Sequence, residues 1–215
     1  MQPGLTNVGA GRTSFLFQIN VTRRCQLRCS HCYILSDKKD TSPDMSEAEF
    51  LHVVQGIVDH MKLDYEFSRR YTFVDIHVIG GEPSMLGVDF FKAALPKAKA
   101  MLSEIPQEVA FSIVTNLVTH EALEVARLFD KVATSYERST RFNKRKQEEI
   151  WKNNVRTLMA ESKNPSLPGP KDFSVTTALV KPVVQAGAVS MIEELVELGF
   201  TKMHFGFFIP VSYTH

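Results

Sequence analysis

Three cysteines lie close together near the start of the chain, at Cys25, Cys29 and Cys32, and they are all the cysteines it contains. One short loop can turn their sulfur atoms toward a common centre. Thiolates are soft ligands that select iron–sulfur clusters or zinc. Three of them can hold a four-iron cluster and leave one iron open to a small molecule. Such an open site suits chemistry better than electron storage alone.

Two other interpretations of these cysteines stay open. They can be structural thiols of a reducing compartment, although such thiols rarely stand so close together. They can also bind zinc with His31 as the fourth ligand. His31 and Cys32 are adjacent, however, and the usual spacings of zinc ligands differ from this one.

A second motif, Gly80-Gly81-Glu82-Pro83, follows an apolar stretch that predicts a β-strand. Glycines let the backbone approach a ligand closely, and a carboxylate accepts hydrogen bonds from an ammonium group. On its own this motif would be an ordinary strand-to-helix turn. It comes one strand after the cysteines, at the sheet edge where parallel α/β folds bind ligands. That position favours a functional site.

Together, the Cys-x3-Cys-x2-Cys loop and the Gly-Gly-Glu-Pro turn resemble the signature of radical S-adenosylmethionine (SAM) enzymes. The loop, with His31 before the last cysteine and Tyr33 after it, is similar to that of peptide-modifying (SPASM-type) members, although many relatives have an aromatic residue in place of His31. The resemblance implies a [4Fe–4S] cluster on the three cysteines, with SAM bound to its open iron. It also implies an external electron donor, and an enzyme that cleaves SAM reductively to a 5′-deoxyadenosyl radical, which abstracts hydrogen from a substrate.

The resemblance further implies which residues contact SAM. Tyr33 would pack near the adenine, and the motif from Gly80 to Pro83 would bind the amino group. Arg141, with Arg138, would pair with the carboxylate of the methionine moiety, although both also fit a solvated basic turn. The remaining expected contacts are polar residues at the ends of two later strands, Thr115, Asn116, Ser135 and Glu137.

The substrate is less determined than the cofactor. Peptide modification is the first hypothesis, because of the form of the cysteine loop. A nucleoside or another small metabolite is the alternative substrate, and a non-catalytic iron–sulfur and SAM-binding regulatory module is the alternative function. Because all three cysteines are committed, this chain supplies neither a second cysteine-bound cluster nor a cysteine hydrogen donor, which departs from the peptide-modifying enzymes.

The elements that must position these residues alternate along the chain. Ser46 to Glu49 form a capping box, with Met45 and Phe50 as a hydrophobic staple across it, so a helix is expected to start at Ser46. Alternating and helical apolar patterns predict the other elements. Strands are expected at 14–22, 71–79, 109–115, 131–136, 173–180 and 202–209, and further helices at 90–102, 121–129, 143–161 and 189–198.

Strands that alternate with helices predict an α/β fold with a parallel sheet and right-handed crossovers. The resemblance implies an open partial (β/α)6 barrel similar to a TIM barrel. On the predicted strands, the alternate residues that share one face are repeatedly polar. This pattern indicates a barrel lumen that contains water. Asp75, His77 and His204 share this face and are candidates for substrate contact or proton handling. The alternative for each histidine is a structural hydrogen bond.

Length, charge and composition predict the domain organisation, partners and location of the chain. The chain has 215 residues, enough for one core domain at 13–215 after a polar N-terminal arm at 1–12. A net charge of +1 gives no support for a nucleic-acid partner, and no apolar run is long enough to span a bilayer. Clustered reduced thiols predict a cytoplasmic location. The sixth helix is apparently missing, so we expect a homodimer or a partner chain at the edge of the last strand.

Overall fold

The computed structural model describes residues 13–32, 34, 42–63, 68–137, 140–142, 144–164, 166–167 and 169–207. It contains one six-stranded sheet whose strands are all parallel and follow the order of the chain. The strands are β1 Ser14–Thr22, β2 Phe73–Gly80, β3 Glu108–Val114, β4 Lys131–Ser135, β5 Asp172–Leu179 and β6 Met203–Phe207. This is the partial (β/α)6 barrel expected from the sequence.

Helices connect the strands. They are α1 Glu47–Leu63, α2 Val88–Leu102, α3 His120–Ala126, α4 Arg145–Ser162, α5 Lys181–Ala186 and α6 Ala188–Glu197, with a 3-10 helix at Pro83–Leu86. The short α5 was not predicted, because its six residues hold too little periodic pattern. Gly187, at a φ of 89°, separates it from α6. The helix α2 continues through Pro96.

The helix cap predicted at Ser46 is confirmed, and α6 ends in a second cap. The Ser46 backbone N–H donates to Glu49 Oε2 at 2.7 Å, and the Glu49 N–H donates to Ser46 Oγ at 3.3 Å, so α1 begins with a capping box. Gly199, at a φ of 97°, ends α6. Its N–H donates to the carbonyl of Val196, and the Phe200 N–H donates to that of Leu195, which is the Schellman pattern.

The hydrophobic core lies between the sheet and its helices. Val74, Ile76 and Val78 of β2 are fully buried on this face, against apolar residues of α1 and α2. Under α4, the Trp151 ring stacks on Tyr136 with centroids 4.8 Å apart. Burial of this face fixes the register, since a shift by one residue would move every polar side chain into the core.

The opposite face of the sheet carries the polar parity predicted for the lumen. Across neighbouring strands His77 pairs with Ser112, Ser112 with Lys131, and Lys131 with Asp172. A second polar row joins Ser135, Thr176 and His204 in the same way. The strands therefore bring these side chains together in levels across the lumen.

Strand β6 lies at one edge of the sheet. Beside it, α5 and α6 expose several apolar side chains, as does β6 itself: Val184, Val189, Ile192, Val196 and Phe205. Among the described helices, none combines the length and apolar character that crossing a membrane requires.

Candidate active site

A cavity of about 390 Å³ lies where the first four strands end, and we call it the upper cavity. All three cysteines line it, and so does the turn that follows β2. The other polar side chains on its wall are Gln18, His31, Thr115, Asn116, Ser135 and Arg141. The structure thus brings most of the predicted cofactor residues to one place, at the edge where parallel sheets bind ligands.

The cysteine loop leaves β1 and turns back on itself. The Cys32 N–H donates to the carbonyl of Cys29 at 3.1 Å, which closes the turn between the last two cysteines. All three thiols are free and partly buried. The thiol of Cys29 donates to the carbonyl of Arg141 at 3.7 Å. The loop is therefore attached to the far side of the cavity as well as to its own strand.

The surroundings of two thiols disfavour their ionisation in the absence of a cation. Burial raises the pKa of Cys25, and the nearby Glu82 carboxylate raises it further. Burial also raises the pKa of Cys29, where the positive charge of Arg141 opposes the effect and Glu137 adds to it. A bound cation reverses this preference, because a coordinated thiol loses its proton.

The glycines of the turn are required by close packing on the cysteine loop. A Cβ atom on Gly81 would lie 2.2 Å from the carbonyl oxygen of Arg24, and one on Gly80 would lie 2.3 Å from that of Thr22. The N–H groups of Gly81 and Glu82 donate to these same two carbonyls at 2.7 Å. The sequence predicted that the glycines let a ligand approach the backbone closely. In the structure they first allow close packing on Thr22 and Arg24, which lead into Cys25.

Glu82 is almost completely buried, and the chain itself uses most of its carboxylate. Oε1 accepts hydrogen bonds from the Ser84 N–H at 3.1 Å and from Thr115 Oγ1 at 2.7 Å. Oε2 accepts one from the Asn116 N–H at 2.6 Å. The carboxylate thereby fixes the end of β3 to the turn after β2.

Asn116 connects this turn to the cysteine loop. Its Nδ2 donates to Cys25 Sγ at 3.8 Å, and its Oδ1 accepts from Gln26 Nε2 at 3.2 Å. Sequence reasoning placed Asn116 against SAM and did not single out Gln26. The adjacency of Gln26 to Cys25 was the available signal.

The ends of β4 and β5 meet at Glu137, which is buried. Its Oε1 accepts from the Ala178 N–H and its Oε2 from Arg141 Nη1, both at 3.1 Å. His31 Nε2 lies 3.8 Å from the same carboxylate. Arg141 Nε is buried and has no hydrogen-bond partner within the described residues, so it remains a donor for a ligand.

The three predicted substrate residues lie deeper in the lumen. Asp75, His77 and His204 line a second cavity of about 170 Å³, which we call the lower cavity. Sequence reasoning missed its charged residues Lys131, Asp172 and Lys202. Lys131 and Asp172 are the first residues of β4 and β5, and both lie on the polar face of the sheet. Aligning the starts of the predicted strands would have found them.

Asp75 is the centre of a hydrogen-bond network in the lower cavity. It accepts from Ser112 Oγ and Lys131 Nζ, each at 2.5 Å, and His77 Nε2 lies 3.5 Å away. Burial alone would raise the pKa of Asp75, but these three donors outweigh it and lower the pKa to about 2. Asp75 is therefore an acceptor held in its charged form.

Arg24, beside Cys25, forms a clamp that the sequence did not reveal. Its Nε donates to Asp44 Oδ1 at 3.0 Å, and its Nη2 donates to the Met85 carbonyl at 2.9 Å. Thr22 Oγ1 donates to the same carboxylate at 2.5 Å. The clamp joins the cysteine loop to the segment before α1 and to the 3-10 helix after the glycine turn.

Tyr33 and Arg138 lie outside the described residues. Within them, no three His, Cys, Asp or Glu side chains are grouped so as to hold a single metal ion. A four-iron cluster makes a different demand, because each of its three thiolates binds a separate iron.

No protein-family profile matches the sequence, and no curated protein matches it significantly. Solved structures do match. The chain is similar to native anSMEcpe with bound AdoMet, with a TM-score of 0.71 and 14% identity over 94% of this chain and 54% of that one. The complex of anSMEcpe with AdoMet and the Kp18Cys peptide gives a TM-score of 0.70, 13% identity, and 94% and 53% coverage.

SuiB from Streptococcus suis is a third similar structure, with a TM-score of 0.58, 11% identity, and coverage of 94% of this chain and 41% of SuiB. At these identities the likeness is one of fold. The chain spans about half the length of the anSMEcpe structures that it matches.

Proposed function

We propose that this chain, whose fold is that of the radical SAM superfamily, is an enzyme that binds a [4Fe–4S] cluster on Cys25, Cys29 and Cys32 and cleaves SAM beside it. The observation that carries this proposal is the upper cavity. Three free thiols and the Gly-Gly-Glu turn line it together with the buried polar residues that end β3. This combination offers soft ligands for iron next to hydrogen-bonding groups for a polar cofactor.

The donor set fits the cluster. The three thiols occupy one loop that is attached at both sides of the cavity, and no disulfide consumes them. When bound, the cluster supplies the electron that cleaves SAM to methionine and a 5′-deoxyadenosyl radical. Asn116 would orient Cys25 through its N–H···S hydrogen bond, as outer residues commonly do for metal ligands.

The chain's own residues would hold SAM by two charged ends. A carboxylate accepts about four hydrogen bonds. Glu82 already accepts three, and the remaining acceptor position is on Oε2, where it can take an N–H of the SAM ammonium group. Arg141 Nε is the buried donor suited to the SAM carboxylate. Ser135 lies on the cavity wall with a hydroxyl suited to the ribose.

We further propose that the substrate is a peptide. The form of the cysteine loop supports this, and so does the likeness to anSMEcpe, which has been solved with a Kp18Cys peptide. A nucleoside or small-metabolite substrate is the alternative. A regulatory module without turnover would be distinguished by the 5′-deoxyadenosine assay that follows.

The test is anaerobic reconstitution with iron and sulfide, then reduction with dithionite in the presence of SAM and chromatography for 5′-deoxyadenosine. We expect product from the wild-type chain, none from Cys29→Ala, and wild-type yield from Ser30→Ala, an exposed neighbour in the same loop. A cluster that binds SAM without forming 5′-deoxyadenosine would favour the regulatory module. Failure to bind iron would favour zinc.

We also retain the proposal that a second copy or a partner chain covers the β6 edge. The exposed apolar side chains of α5, α6 and β6 support it. Sedimentation velocity should detect a species larger than the monomer, and a monodisperse monomer would contradict the homodimer.

A further inference from the structure

The lower cavity adjoins the upper one. Val114 lines both, and the polar row from Ser135 to His204 crosses from one to the other. Binding sites for whole ligands usually enclose about 300–1,000 Å³. The lower cavity, at about 170 Å³, suits one group of a larger ligand whose remainder extends into the upper cavity.

The charges of the lower cavity neutralise one another. Lys131 Nζ donates to Asp75 at 2.5 Å. Lys202 Nζ donates to Asp172 at 2.6 Å. Each carboxylate thus has its own ammonium partner. An ionic ligand would have to displace one of these partners and leave a charge uncompensated, which is costly in a partly buried site.

The hydrogen-bonding capacity that remains is neutral. Nε2 of His77 lies 3.5 Å from Asp75, which can only accept, so this nitrogen is the one that directs an N–H to the carboxylate. In the neutral imidazole that tautomer leaves Nδ1 as an acceptor. His204 and Ser174 line the same cavity, and neither side chain makes a hydrogen bond within the described part of the chain. Together these side chains present acceptors and donors beside the two paired carboxylates.

We propose that the lower cavity is a substrate subsite for one amide group, with its N–H donating to His77 Nδ1 and its carbonyl accepting from Ser174 or His204. An amide is the neutral group that carries both a strong donor and a strong acceptor. The inference rests on the proposed function and adds to it the chemical group that is recognised. A peptide backbone or an Asn or Gln side chain supplies such a group.

The test uses the 215-residue chain before reconstitution, with histidine ring signals followed by NMR. The probes are N-acetylglycinamide as the neutral amide, acetate as the anion and methylammonium as the cation. We expect the amide to shift the signals of His77 and His204 in a saturable way, with little response to either ion. His52 and His120, which are exposed on helices, serve as internal controls.

Ser174→Ala should weaken binding of N-acetylglycinamide roughly 3- to 10-fold, the effect of one lost hydrogen bond. An absent shift, or an equal or stronger response to acetate or methylammonium, would overturn the proposal. Because no cluster or SAM is present, the result does not depend on radical chemistry. A positive amide titration with no 5′-deoxyadenosine in the reconstituted assay would refute the proposed function alone, and the reverse pair of results would refute the subsite alone.

Discussion

The two cavities of the lumen differ in how much of their polar surface the chain itself already uses. Glu82 and Asn116 line the upper cavity and Glu137 pairs with Arg141 on its wall; all three are buried, and each makes two or more hydrogen bonds. In the lower cavity His204 is exposed, and its side chain makes no hydrogen bond within the described residues. The chain's own hydrogen bonds hold the upper cavity in shape, whereas the lower cavity keeps hydrogen-bonding groups that the described residues do not use.

The difference suits two kinds of ligand. A cofactor that is common to many reactions benefits from a rigid site, because preorganisation lowers the cost of binding. A substrate needs groups that are free to pair with it. The comparison therefore predicts that substitutions in the upper cavity cost stability together with cofactor binding. Substitutions at the unpaired residues of the lower cavity should cost binding with little loss of stability.

Gly81→Ala should have the largest effect. Its Cβ would lie 2.2 Å from the backbone oxygen of Arg24, a contact that no side-chain rotation relieves. We expect a loss of about 3 kcal/mol or more in the free energy of unfolding, and failure to retain iron. Urea unfolding and iron analysis measure both. Gly56→Ala is the matched control, because nothing lies within 4 Å of its Cβ. A Gly81→Ala variant as stable as this control would contradict the close packing.

Glu82→Gln should come next. The amide presents an NH₂ group to at least one of the three donors that now point at the carboxylate. We expect a loss of about 2–3 kcal/mol in stability and at least roughly tenfold weaker SAM binding. Glu47→Gln removes a partly exposed carboxylate from a surface pair with Lys97 and should cost well under about 1 kcal/mol. Equal losses of stability in Glu82→Gln and Glu47→Gln would contradict a stabilising role for the buried hydrogen bonds of Glu82.

Asp75→Asn tests the more buried of the two paired carboxylates of the lower cavity. The pKa of Asp75, about 2, is below its unfolded value, so its ion pair stabilises the protein above about pH 4 and is lost as the pH falls through 2. We expect the variant to be less stable by about 1–2 kcal/mol at pH 7, after allowance for solvent screening. The difference in unfolding free energy between the variant and the wild type, measured by urea unfolding, should shrink between pH 4 and pH 2. A difference that stays constant over this range would contradict the depressed pKa.

The sequence was informative where a pattern is local. The alternation of β1, the capping box of Ser46 and the Cys-x3-Cys-x2-Cys spacing each lie within a few residues, and they predicted the sheet, a helix start and the cavity-lining loop. The polar parity predicted the lumen, because a strand period of two is insensitive to errors at strand ends.

The sequence was uninformative where a contact joins distant segments. Arg24 and Met85 are 61 positions apart, and Asn116 and Cys25 are 91 positions apart. Such contacts depend on strand register and on crossover geometry, which composition and periodicity do not specify. For the same reason, the sequence did not reveal the pairing of Lys131 with Asp75.

Arg24→Ala should have the smallest effect on stability and still sharpen the comparison. Its side chain is 52% exposed, so we expect a loss of only about 1 kcal/mol. The clamp nevertheless joins the cysteine loop to the glycine turn, so a chelator should remove iron from the reconstituted variant faster than from the wild type. Arg24→Lys should restore little, because an ammonium group does not bridge Asp44 and the Met85 carbonyl as a guanidinium does.

A second measurement on Arg24→Ala distinguishes loss of the clamp from a general loss of stability. The hydrogen bond from Arg24 is the main cause that lowers the pKa of Asp44. In Arg24→Ala this pKa should rise toward its ordinary value, which NMR of the carboxyl group measures. Arg156→Ala, which removes an exposed arginine on α4, should change neither the iron-loss rate nor this pKa. Unchanged iron loss in Arg24→Ala, with the Asp44 pKa restored, would mean that the loop is held by the glycine turn and Arg141 alone.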